Sequence, residues 1–164
     1  MIVIGNGRLI TRDAALPYIE HGAVAVEGTT VREVGEDATI RRKYPNADFV
    51  DARGGVIMPA FINAHSHIYS ALARGLAMNG HNPTNFFEVL DGMWWKIDRN
   101  LTLEDTRRSA YQTYIDCIKT GCTTLFDHHA SYRQIEGSLF AIKDVAHEMG
   151  VRTCLCYEVS DRDG

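Results

Sequence analysis

The chain has 164 residues, 45% of them hydrophobic and 23% charged, with 17 Lys plus Arg against 21 Asp plus Glu and a formal net charge of -4. This composition excludes a disordered chain as the main state, and its slight acidic excess offers no field for phosphate backbones or anionic lipid, so neither nucleic acid nor a membrane is an expected partner. Charge interrupts every apolar stretch before the roughly 20 residues that a bilayer span needs, and the opening MIVIGNGRLI lacks a basic segment followed by a long apolar run, so a cytoplasmic protein is expected.

Residues 2–10 (IVIGNGRLI) and 22–35 (GAVAVEGTTVREVG) alternate apolar and polar side chains, which predicts short strands joined by hairpins with a turn at Glu27-Gly28-Thr29. A helical turn is predicted around Ile40 to Lys43, stopped by Pro45, with the basic triplet Arg41-Arg42-Lys43 on a solvated face. From Phe49 the pattern changes to a short strand, Gly54-Gly55 and an apolar run ending in His65-Ser66-His67, as expected of a strand buried on both faces. A short helix over Ser70 to Ala77, a polar loop and a helix from Asn85 to Asp98 follow. Thr102, with Glu104 and Asp105 in the first turn, is placed to cap a helix ending near Gly121. Cys122 to Phe126 reads as a second buried strand ending in Asp127-His128-His129. Residues 135–149 read as a helix stopped by Gly150, and Val151 to Val159 as a third strand. From residue 56 onward, strand, helix, strand, helix, strand predicts parallel βα units of an α/β fold, with polar residues at the C-terminal ends of the strands.

Side chains alternate along a strand, so His65 and His67 project to the same side and can reach one metal ion. The end of a parallel strand is where functional groups gather in such folds. The four cysteines, Cys117, Cys122, Cys154 and Cys156, include no Cys-x-x-Cys pair, which favours reduced core thiols over a disulfide framework or a zinc knuckle.

The string Gly55 to His67 (GVIMPAFINAHSH) resembles the first barrel strand of the amidohydrolase superfamily, where an apolar strand runs into a two-histidine metal motif. Ala60 stands where that family usually has glycine. The N-terminal strands followed by Asp51 and Gly54-Gly55 are similar to the family's small β-sandwich domain. Arg74-Gly75-Leu76, and the stretch from Leu101-Thr102 to Lys119-Thr120-Gly121-Cys122-Thr123-Thr124, extend the resemblance toward the deaminase and chlorohydrolase branch. Within it, IGNGRLITRDA, LDGMWWKIDRNLT, TYIDCIKTG, FDHHAS and LCYEVSDRDG resemble the SsnA group of aminohydrolases associated with selenium metabolism.

The resemblance implies that residues 1–55 are strands of the β-sandwich domain and 56–164 the first three strands and intervening helices of an incomplete (β/α)8 TIM barrel. A complete barrel needs at least about 200 residues, so the chain is expected to be the N-terminal fragment of a longer enzyme. It also implies one divalent ion, usually zinc, held by His65 and His67 together with a third histidine and an aspartate from later strands. The ion would lower the pKa of a water that attacks a ring carbon, and the catalytic acid would lie beyond residue 164. Asp127 is expected to support the ligands, and Glu88, His128 and His129 to touch substrate. Trp94 and Trp95 read as helix-face core, while His21, His81 and His147 have no assigned partner. The implied activity is a metal-dependent aminohydrolase acting on a carbon–nitrogen bond other than a peptide bond. Its expected partner is a small heterocyclic amine, with room for a homo-oligomer of the full-length protein. A cyclic amide hydrolase and a non-catalytic metal-binding module are the alternatives.

Overall fold

The computed structural model describes residues 1–163, and the chain divides between Pro59 and Ala60 into two compact units. In the first, strand β1 (Ile2–Ile10) pairs antiparallel with β2 (Tyr18–Glu27) and parallel with β4 (Asp48–Asp51), while β3 (Thr30–Glu36) flanks β2. The β2–β3 turn falls where Glu27-Gly28-Thr29 predicted it, with Gly28 at φ 57°. Helix α1 (Asp37–Lys43) starts three residues earlier than the predicted turn and buries Ile40 against Val3, Ala23 and Ala25. Its last turn carries Arg41, Arg42 and Lys43, where cations suit the negative end of the helix dipole.

The apolar run after Gly55 does not form one buried strand. Val56–Ile57, here β5, pairs with β1, and Phe61–Ser66 forms β6 in a different sheet. Proline cannot donate to a ladder, and Met58-Pro59 separates the two pieces. Nor is β6 buried on both faces: Phe61 is 57% and Ile62 65% exposed, because β6 is an edge strand.

The second unit carries a parallel sheet of order β6-β7-β8, with β7 (Cys122–His129) in the centre and β8 (Arg152–Tyr157) on its far side. After β6 comes a 3-10 turn, Ile68–Ala73, in place of the predicted helix to Ala77. The stretch predicted as one helix from Asn85 is α2 (Phe86–Val89), a π-helical turn (Leu90–Trp94) and α3 (Trp95–Asp98). Asn85 caps it by accepting from the Glu88 backbone N–H. Helix α4 (Leu103–Thr120) opens on a complete capping box between Thr102 and Asp105 and closes at Gly121, which takes the left-handed conformation at φ 75°. Helix α5 (Ser138–Met149) ends on Gly150 in the same way.

Helical spacing puts Ala110, Tyr114 and Cys117 of α4, and Ile142, Val145 and Ala146 of α5, on faces that meet Leu125 of β7 in one core with Ile68, Cys122 and Val151. Fully burying a side chain such as Leu125 or Ile142 contributes about 1.5–3 kcal/mol, which is why the central strand is the most buried. All four cysteines are free. Burial pushes the Cys117 thiol up to about 11, so it is inert core. Cys154 and Cys156 are exposed on β8, contrary to the core-thiol expectation, because strand alternation turns both onto the face that α4 and α5 leave open. Among the described residues no helix is long and apolar enough to cross a membrane.

Candidate active site

The C-terminal end of β6 brings His65 and His67 together, with their Nε2 atoms 3.1 Å apart. The His67 Nδ1 lies 2.9 Å from the carbonyl oxygen of His128, which can only accept, so Nδ1 carries the proton and Nε2 presents its lone pair. Zinc binds imidazole nitrogen at about 2.0–2.1 Å, and an ion equidistant from nitrogens with this spacing would subtend an angle of about 100°, near tetrahedral. A ligand histidine whose other ring nitrogen is tied to a backbone carbonyl is the arrangement metal sites use to fix the tautomer. These residues therefore fit a divalent ion as two of its ligands. Among the described residues no group of three or more His, Cys, Asp or Glu converges to hold one.

Strand β7 distributes its polar end by alternation. Asp127 and His129 turn to the buried face, at 3% and 0% exposure, whereas His128 stays half-buried on the other. The Asp127 Oδ1 accepts from the Ile68 backbone N–H at 2.7 Å, which ties the chain directly after His67 to the central strand. Burial raises the Asp127 carboxyl to about 6, opposed by the Ile68 hydrogen bond and the His67 ring. Burial likewise lowers His129 to about 4. Its Nε2 meets Ser131 Oγ at 2.7 Å, and its ring sits edge-on to Tyr69 and Tyr157.

Beside the histidines lies a cavity of about 540 Å³, with His67, His128, Tyr69 and Ser70 on its wall. Phe86, Leu90, Trp94 and Trp95 supply apolar faces, and Asp98, Glu158, Ser160 and Arg162 supply polar ones. Of the three residues expected to touch substrate, His128 is brought to this wall and His129 is turned into the core beneath it. Glu88 is held elsewhere: its Oε2 accepts from the backbone N–H and hydroxyl of Thr84, and these bonds hold its carboxyl below the usual carboxylate range. Trp94 and Trp95, expected in the core, line the cavity.

Sequence reasoning missed Tyr69, Asp98, Glu158 and Arg162. Asp98 is 1% exposed and bonds Arg162 Nη2 at 2.5 Å; burial raises its carboxyl above its ordinary range against the pull of that guanidinium. A signal for it existed, since Leu90, Trp94 and Asp98 recur every fourth residue and place a carboxylate on an otherwise apolar helical face.

Residues 56–163 match the amidohydrolase family, and residues 22–47 match the bacterial imidazolonepropionase-like composite domain. The chain is 30% identical over 161 residues to a 5-methylthioadenosine/S-adenosylhomocysteine deaminase of Thermococcus sibiricus, covering 98% of this chain and 34% of that protein. It is 28% identical to a 5'-deoxyadenosine deaminase of Methanococcoides burtonii, covering 95% and 32% respectively. In structure it is similar to the zinc complex of atrazine chlorohydrolase TrzN from Arthrobacter aurescens TC1, with a TM-score of 0.76 at 23% identity, covering 96% of this chain and 35% of that one. Guanine deaminase of E. coli gives 0.72 at 20% identity, covering 93% and 36%. The chain thus spans about a third of the length of these relatives. Its α/β fold is that of the N-terminal part of their barrels, with the two-histidine motif at the end of the first strand of the parallel sheet, and the chain belongs to the amidohydrolase family.

Proposed function

We propose that this chain is the N-terminal third of a metal-dependent aminohydrolase that removes an amino group from a nitrogen heterocycle. The observation that carries the reading is the pair of imidazole Nε2 atoms converging at the strand end, one with its tautomer set by the His128 carbonyl, beside an aromatic-walled cavity. The deaminase relatives and the zinc-bound chlorohydrolase structure support the reaction class and the metal. In this reading residues 1–55 contribute strands to a β-sandwich domain, and the remaining ligands and the catalytic acid come from later barrel strands. The assignment to the SsnA group, and to the cytoplasm, rests on the phrases and composition of the sequence itself.

When bound, a zinc ion would supply an activated water at neutral pH. His65 and His67 would hold the ion through Nε2. Asp127 keeps the turn after His67 in register by accepting from Ile68, so the imidazole aims at one point. Trp94, Trp95, Phe86 and Leu90 offer flat apolar surface to a ring and displace water from around it. His128 stands edge-on to His67, 5.6 Å between centroids, where it can touch the reacting end of a substrate. The test is metal analysis of the complete protein, followed by an ammonia-release screen over purines, pyrimidines and triazines. About one equivalent of metal and ammonia from at least one ring is the expected result; a metal-replete protein that releases ammonia from none would overturn the reading.

A further inference from the structure

Helix α3 and the residue after it are fastened at three points to the segment that follows β8. Arg162 Nη2 bonds Asp98 Oδ2 at 2.5 Å, Arg99 pairs with Asp163, and the Arg162 guanidinium lies over the Trp95 ring, 5.3 Å from its centroid. Asp163 joins the two arginines, since its other carboxylate oxygen is 3.2 Å from Arg162 Nε. The Tyr132 ring, 4.5 Å away at its centroid, and Glu158 Oε1, 3.8 Å from Nε, close round the same guanidinium and leave the Arg162 side chain 12% exposed. The Asp98 carboxylate is buried against Arg162 and the Tyr69 hydroxyl, so no ligand in the cavity reaches it. An ion pair so enclosed adds little net stability, because desolvation offsets most of its attraction. Its consequence is a fixed place for the groups it touches.

On the cavity side that group is Trp95. Phe87 meets the same ring edge-on at 5.5 Å between centroids, and Phe86, Leu90, Trp94 and Trp95 of this helical stretch wall the cavity beside His67 and His128. A guanidinium within about 6 Å of an indole face is attracted to it, and its planar fork stacks on the ring in a way that an ammonium cannot. We propose that Arg162 is a positioning residue for ring binding: clasped by Asp98 and Asp163, it sets Trp95, and with it the aromatic wall, at the tilt that receives the flat face of a heterocycle. Arg162 itself makes no bond to that ring. This rests on the reading of the cavity as the substrate site and deepens it by naming what holds the wall. The effect is one of geometry, so it does not depend on the charge of the cavity or of an ion bound at His65 and His67.

The test uses the complete protein loaded with zinc and labelled with 5-fluorotryptophan, its Trp95 fluorine resonance assigned by the loss of that signal in Trp95→Phe. Hypoxanthine and uracil, neutral rings with no amino group to lose, are titrated calorimetrically. In Arg162→Lys, which keeps the charge opposite Asp98 but not the planar contact, the Trp95 resonance should move or broaden. Affinity for whichever ring wild type binds more tightly should fall about fivefold or more, within the scale of stacking on an aromatic side chain, while zinc content stays at the wild-type level. If Arg162→Lys fails to fold, the double variant Asp98→Asn with Arg162→Gln removes both buried charges together and should show the same changes. An unmoved Trp95 resonance overturns the proposal whatever the affinity does, and so does unchanged affinity with a moved resonance. Wild type that binds neither ring sinks the reading of the cavity as a ring site and the proposal with it. Wild type that binds a ring which the folded variant binds equally well sinks the proposal alone.

Discussion

His67 is held from two directions, through its Nδ1 by the His128 carbonyl and through the next residue's N–H by Asp127. In the complete protein, His65→Ala or His67→Ala should each remove most of the bound metal and nearly all turnover, because each deletes a donor; unchanged metal stoichiometry in both would refute the ligand assignment. His128→Ala should leave metal near the wild-type level and change KM or kcat, since its side chain lines the cavity and meets His67 only ring edge to ring, while the carbonyl that holds the His67 Nδ1 belongs to its backbone and is kept in the variant. The buried pair behind them titrates in opposite senses. His129, lowered to about 4 from an ordinary 6.5, contributes stability that is present above pH 6.5 and lost as pH falls toward 4. Asp127, raised to about 6 from 3.8, contributes stability that is present below pH 3.8 and lost as pH rises through 6. Each effect is on the order of 3 kcal/mol and they offset one another in the metal-free protein. Asp127→Asn should therefore steepen the loss of stability between pH 6.5 and 4. His129→Gln should reverse the slope, so that stability rises on acidification from pH 6 to 4. Urea midpoints across that range check both, and parallel profiles in the two variants would contradict the assignment.

At the level of elements, the helix start at Thr102 was readable because a cap is local: a Thr side chain and an acidic residue three positions on satisfy each other's backbone N–H groups whatever lies around them. Thr102→Ala should cost about 1 kcal/mol, seen as a lower urea midpoint with unchanged m-value. The π-helical turn at Leu90–Trp94 was not readable, since its apolar spacing is that of an ordinary helix. Gly92 lies against the His81 ring, and a Cβ there would sit 1.9 Å from the nearest ring atom. Helix propensity alone favours alanine over glycine by about 1 kcal/mol, but a contact that short forces the turn or the ring to move. Gly92→Ala should accordingly destabilise the protein and weaken ring binding, because Leu90 and Trp94 on the same turn line the cavity. Tryptophan fluorescence and the melting temperature are the readouts, and a stabilised variant would show that propensity wins.

For the whole molecule, the parallel sheet is covered on one face by α4 and α5 and open on the other. On that open face Ile62 and Phe126 are 65% and 44% exposed, and β6 and β8 are the sheet's edge strands. Exposed apolar surface beside unpaired strand edges recruits other chains. The 164-residue chain expressed by itself should therefore run as a mixture of associated species in size-exclusion chromatography with light scattering. It should also bind zinc weakly through two histidines and release no ammonia from the heterocycle panel. A monodisperse monomer that unfolds cooperatively and deaminates one of those rings would overturn the barrel-part reading.

What the sequence determined by itself is what short-range chemistry decides. The alternation of β1 to β3, the capped ends of α4 and α5 and the same-side projection of His65 and His67 follow from residues within one turn or one strand of each other. The string Gly55 to His67, together with the phrases that follow it, carried the resemblance to the family. Tertiary structure decided the division of the apolar run between two sheets, the burial of His129 under His128, and the diversion of Glu88 to Thr84. It also brought Asp98 together with Arg162 across 64 residues of chain. Those outcomes depend on which neighbours cover a strand face or complete an ion pair, and residues so far apart in sequence meet only when the whole chain packs.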